Sequence, residues 1–103
     1  KYKINLIKSK LSKDNKFNLK IIFKKLYNLG MRNILIEGGN ELTNSLVNKR
    51  LFNRFYLFKS KKILSKLVEY KEFTGLKSLK RNYKDRLNLK PNFGKDSITL
   101  YKN

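Results

Sequence analysis

The residues of this sequence best equipped for chemistry stand together in one stretch, Glu37-Gly38-Gly39-Asn40-Glu41-Leu42-Thr43-Asn44-Ser45. A carboxylate, two glycines and a run of amide and hydroxyl side chains fall where an apolar segment gives way to a helical pattern. Glycines at such a junction let the backbone approach a ligand with no side chain in the way. A helix start adds N–H groups without intrahelical partners and the positive end of a dipole. That combination suits phosphate. A tight strand-to-helix turn that binds nothing would use the same glycines, and spacing alone leaves both readings open. The stretch is neither a Walker A loop nor a GxGxxG fingerprint. Composition excludes other chemistries: with no cysteine there is no thiolate nucleophile, and with no histidine a metal site would rest on seven scattered Asp and Glu residues, none at EF-hand or HExxH spacing. Asp85, Glu69 and Glu72 are flanked by lysines or arginine and read as solvated ion pairs of little energetic weight.

The elements that must position this stretch can be read from periodicity. Residues 33–36 form a short apolar run bounded by polar residues and the glycine pair, as in a strand buried on both faces. Beyond the glycines, Leu42, Leu46 and Val47 line one side of a helix that begins near Asn40 or Glu41 and ends about Arg50. Upstream, residues 2–8 alternate as a half-buried strand does, and a polar loop runs from Ser9 to Lys16. Leu19, Ile22, Phe23, Leu26 and Leu29 then recur at helical steps between an N-cap candidate, Asn18, and a stop, Gly30. Downstream, Phe55-Tyr56-Leu57-Phe58 reads as a further buried strand, its aromatics core and not a stacking platform for bases. The resulting order of strand, helix, strand, helix, strand predicts parallel pairing with right-handed crossovers. Residues 60–83 show no clean period, with Ile63, Leu64, Leu67 and Val68 as a possible short helix. Two alternating segments, 86–90 and 97–101, flank turn residues and predict a terminal antiparallel hairpin.

The residues from Leu19 to Ser60 resemble the reductase domain of the bifunctional riboflavin-biosynthesis deaminase-reductases. The likeness rests on Gly30 closing a helix, on Ile34-Leu35-Ile36-Glu37-Gly38-Gly39, on the helical stretch Leu42 to Leu51 and on the aromatic strand Phe55 to Phe58. The chain departs from the family at Asn53-Arg54, where an Asp-Glu pair is common, and at Ser60-Lys61, where an Ala-Pro step is common. The resemblance implies an α/β fold of the dihydrofolate-reductase type: a mixed sheet with flanking helices, here its C-terminal half, ending in the antiparallel hairpin. It implies an NADPH-dependent reduction of the ribose of 5-amino-6-(5-phosphoribosylamino)uracil to the ribitylamino form. Glu37 would contact this phosphorylated pyrimidine substrate, and Gly39, Asn40, Glu41, Leu42, Thr43, Asn44 and Ser45 would line the NADPH phosphates. No general acid is identified. The expected organisation is a single unit, residues 1–103, that forms the C-terminal part of a reductase domain. The rest of that domain and a zinc deaminase domain would lie upstream in one longer chain, and a homodimer would be possible.

Charge and size set the remaining bounds. A chain of 103 residues builds at most one core. A net charge of +19 and a pI near 10.3 are a common footprint of nucleic-acid binders, so a small basic RNA-binding protein is the alternative from another class. The lysines, however, are spread along the whole chain beside abundant Asn, Ile, Phe and Tyr, with Ala and Trp absent, as A+T-rich coding would produce. No RRM, KH or double-stranded-RNA motif accompanies them. Solvated lysine-rich faces are therefore the expectation, with no specific nucleic-acid partner. A degenerate domain kept for packing or dimerisation is a third reading. No apolar run approaches the length of a membrane span and no signal peptide is visible, so a cytosolic protein is expected.

Overall fold

The computed structural model describes residues 3–60, 73–90 and 94–103. Two compact units divide the chain, Lys1–Ile36 and Glu37–Asn103.

The first unit is built around helix α1, Leu19–Asn28, as its periodicity and caps predict. The Asn18 side chain accepts from the Ile21 N–H, satisfying one of the donors that a helix start leaves over. At the other end Gly30, at φ +90°, donates to the Tyr27 carbonyl while the Met31 N–H reaches back to Leu26, the paired bonds of a Schellman motif. Arg32 lies 4.1 Å from the centre of the Tyr27 ring and donates to the Tyr27 carbonyl. The polar segment before the helix is a loop closed by an isolated Leu11–Phe17 bridge. In that loop the Ser12 hydroxyl donates to Asp14 and holds its carboxyl below the usual range. The two predicted strands of this unit do not form. Residues 3–8 and 33–36 join no ladder, and Leu6 and Leu35 are 91% and 85% exposed. Alternation creates an apolar face, but a strand exists only when a neighbour accepts and donates its backbone hydrogen bonds; among the described residues none does so here.

The second unit holds helix α2 (Asn40–Asn48), strand β1 (Arg54–Lys59), helix α3 (Leu76–Asn82) and strands β2 (Arg86–Leu89) and β3 (Ser97–Lys102). The predicted hairpin is present as β2 and β3. β1 appears where the aromatic run placed it, but it pairs antiparallel with β3, in the order β1-β3-β2. The expected parallel pairing is absent among the described residues because it depended on the two upstream strands. β1 is also not buried on both faces. Phe55 and Leu57 turn inward, while Tyr56 and Phe58 turn to the other face, where Phe58 is 70% exposed. On that outer face they are joined in register by Leu100, Ile98, Leu87 and Leu89.

Helices α2 and α3 cover the inner face through Val47, Leu79 and the cap residue Tyr83, which meet Tyr101 of β3, with Phe52, Phe55, Leu57 and Phe73 packed around them. The Tyr83 hydroxyl donates to the Val47 carbonyl at 2.8 Å, and burial pushes its ionisation upward against the pull of nearby Arg50. α2 ends as α1 does, with Leu51 N–H bonding back to Leu46 and Arg50 N–H to Val47, yet the left-handed position is taken by Arg50, φ +52°. Helix α3 was not anticipated; Leu76, Leu79 and Tyr83 carry a helical spacing that the surrounding lysines mask. The predicted helix at Ile63 to Val68 lies outside the described residues.

Candidate functional site

The turn into α2 assigns different roles to its two glycines. A Cβ on Gly38 would stand 2.8 Å from a methyl of Leu42 and push that side chain aside, so packing within the turn favours glycine there. Gly39 has φ −67°, an ordinary value for any residue, and a Cβ built on it meets nothing within 4 Å. Nothing in the fold of the turn demands glycine at 39. Gly39 is also the N-cap of α2 and supplies no side-chain cap, so the helix start is closed only by its own geometry. Thr43 ties the turn together: its N–H donates to the Gly39 carbonyl at 3.1 Å and its hydroxyl to the Gly38 carbonyl at 3.3 Å. Glu41 sits in the first turn, where a negative charge complements the dipole.

Beside this turn lies a cavity of about 250 Å³ lined by Gly38, Asn40, Thr43, Phe55, Tyr56, Leu57 and Phe73. Its polar groups come from the first turn of α2, its apolar wall from β1 and from Phe73, whose ring stacks on Phe55 with 6.0 Å between centres. Of the residues expected to form the site, Asn40 and Thr43 reach this cavity. Glu37 stands exposed at the mouth of the turn. Leu42 packs over Gly38, Asn44 bonds sideways to Thr74, and Ser45 is half-buried a turn further on. Phe73 and Thr74 escaped the sequence reading; the only local signal was an aromatic residue ahead of Thr74-Gly75. Phe55 and Leu57 serve both the core and the cavity. Among the described residues no group of three or more potential metal ligands comes together, and no helix is long and apolar enough to cross a membrane.

The second unit, two helices packed on an antiparallel sheet with a glycine turn opening one of them beside the cavity, is of the α/β class, and the family match that follows makes it dihydrofolate-reductase-like. The family model described as the RibD C-terminal domain matches residues 1–90, and the chain belongs to that family. It is 30% identical over 86 residues to the riboflavin biosynthesis protein RibD of Aquifex aeolicus, a match covering 84% of this chain and 24% of that protein. The chain therefore spans about a quarter of the length of this relative. No solved structure matches it. The resemblance carried by the glutamate-glycine turn is thus borne out, and it extends well beyond residues 19–60.

Proposed function

We propose that the chain is part of an NADPH-dependent reductase of riboflavin biosynthesis, acting on the ribose of 5-amino-6-(5-phosphoribosylamino)uracil. NADPH would supply the hydride that opens the sugar to a ribityl chain. The observation that carries this reading is the contrast between the two glycines. Gly38 is explained by Leu42, whereas Gly39 has an ordinary backbone and open space before it, as a cradle for phosphate oxygens requires. Asn40 places an amide on the cavity from the same helical turn, and Thr43 lines it while its hydroxyl holds the Gly38 carbonyl. Glu37, exposed ahead of the turn, would orient the substrate through charge-assisted hydrogen bonds. The strongly positive chain favours encounter with a polyanionic cofactor and a phosphorylated substrate. The family match favours this reading over a small basic RNA-binding protein.

The rest of the reductase domain and an upstream zinc deaminase domain complete the proposal, and the 103 residues alone would then show no turnover. In the complete enzyme, Gly39→Val should lower NADPH affinity at least tenfold, about 1.4 kcal/mol, without unfolding the turn, because its φ suits valine. Glu37→Gln should leave that affinity nearly unchanged and lower kcat/KM, since a bond worth roughly 1.5–3 kcal/mol loses its charge. Cofactor titration and steady-state kinetics on both variants decide the matter. Normal NADPH binding by Gly39→Val would remove the cradle.

A further inference from the structure

Asn44 stands in the stretch expected to meet the cofactor, but its hydrogen bonds run elsewhere. Its amide Nδ2 donates to the Asn40 Oδ1 at 3.1 Å and to the Thr74 Oγ1 at 2.6 Å, and the Thr74 N–H donates to the same Asn40 Oδ1 at 3.4 Å. Three side chains thus bind the start of α2 to a segment thirty residues further along the chain. The other end of the amide gains nothing: Asn44 Oδ1 is buried without a hydrogen-bond partner among the described residues. A buried carbonyl left unpaired costs about 1–3 kcal/mol, so a leucine of similar size would serve packing better. The amide makes physical sense for what its nitrogen does.

What the nitrogen does is hold Thr74, and Thr74 sits between two residues with little freedom. On one side is Phe73, which lines the cavity and stacks on Phe55. On the other is Gly75, where a Cβ would stand 2.3 Å from Asn44 Oδ1 and 2.7 Å from the Phe73 ring. The segment approaches α2 so closely that only glycine fits, and the approach is fixed by the amide.

We infer that Asn44 is a positioning residue: through Asn40 and Thr74 it clasps residues 73–75 to the first turns of α2 and so sets Phe73 in place as a wall of the cavity. It does this without touching what the cavity binds. This rests on the proposed reading that the cavity receives part of the cofactor or substrate.

The test uses the complete enzyme with Thr74→Val, which keeps the shape and removes the hydroxyl, and Thr74→Ser, which restores it. Asn44→Asp, which cannot donate to either acceptor, serves as a second probe of the same bonds. Hydrogen exchange at the amides of residues 73–76 should rise at least tenfold in Thr74→Val and Asn44→Asp and return toward wild type in Thr74→Ser. NADPH affinity, read by titration, should fall at least fivefold in the first two and recover in the third, while the melting midpoint follows no such pattern of rescue. Unchanged exchange in Thr74→Val overturns the clasp. Faster exchange with undiminished NADPH affinity overturns its role in the site. A wild-type enzyme that binds no NADPH sinks the cofactor reading and with it the wall's assigned task, while the exchange data still decide whether Asn44 holds the segment.

Discussion

Helices α1 and α2 are nearly equal in length and opposite in what holds them. α1 is closed by an Asn18 side chain at its start and by Gly30 at its left-handed stop, yet it buries none of its residues. α2 starts at Gly39 with no side-chain cap, ends on an arginine in the left-handed region, and buries Leu46 and Val47. One helix is supported by its own ends and the other by the core it joins. Local signals and tertiary burial substitute for each other, which is why propensity predicts a helix such as α1 well and says little about whether it is buried. The difference also has a functional side. On the proposed reading, a side-chain oxygen at the start of α2 would compete for the donors offered to a phosphate, and support from the core lets that end do without a cap.

Substitution inside the two helices should give the largest contrast. Val47→Ala removes two buried methyl groups from the core and should cost about 2 kcal/mol, whereas Ile21→Ala on the half-exposed face of α1 should stay within about 0.5 kcal/mol. Denaturant unfolding of both variants measures this, and equal losses would show that α1 is held by burial after all. At the caps the order reverses. Asn18→Ala should raise hydrogen exchange in the first turn of α1 by an amount matching roughly 1 kcal/mol, since no packing compensates for the lost side-chain acceptor. The smallest effect is a gain. Arg50→Gly relieves a left-handed non-glycine residue, and the loss of its distant contact with the Tyr83 ring, 5.9 Å away, offsets little. Unfolding midpoints should show α2 and its core stabilised by roughly 0.5–1 kcal/mol; a loss would mean that the arginine does more for Tyr83 than the geometry suggests.

Legibility in the sequence follows the same division. Asn18, Gly30 and the apolar steps between them are local, and they fixed α1 to within a residue. The terminal hairpin was legible for the same reason. Strand character in Phe55 to Phe58 could be read, but its direction could not, because the partner β3 lies beyond α3. Residues 2–8 and 33–36 show how far alternation reaches: it predicts a face, not a neighbour. The Glu37-Gly38-Gly39 turn was visible as a site, yet the separate duties of its glycines needed the position of Leu42. Phe73 and Thr74 join the site from thirty residues away, and no periodicity announces such a meeting.

Because β3 lies between β1 and β2, this sheet cannot assemble in chain order. β1 is made early and must wait until β3 arrives, while β2 and β3 need close only a short connection. Loop-closure entropy therefore favours hairpin first and β1 last. In folding kinetics, weakening the Asn88–Thr99 cross-strand contact should slow folding, and Leu57→Ala should chiefly speed unfolding. Phe55, Tyr56 and Leu57 of β1 form one wall of the cavity, so in that folding order the candidate site would be completed last and lost first when the chain opens.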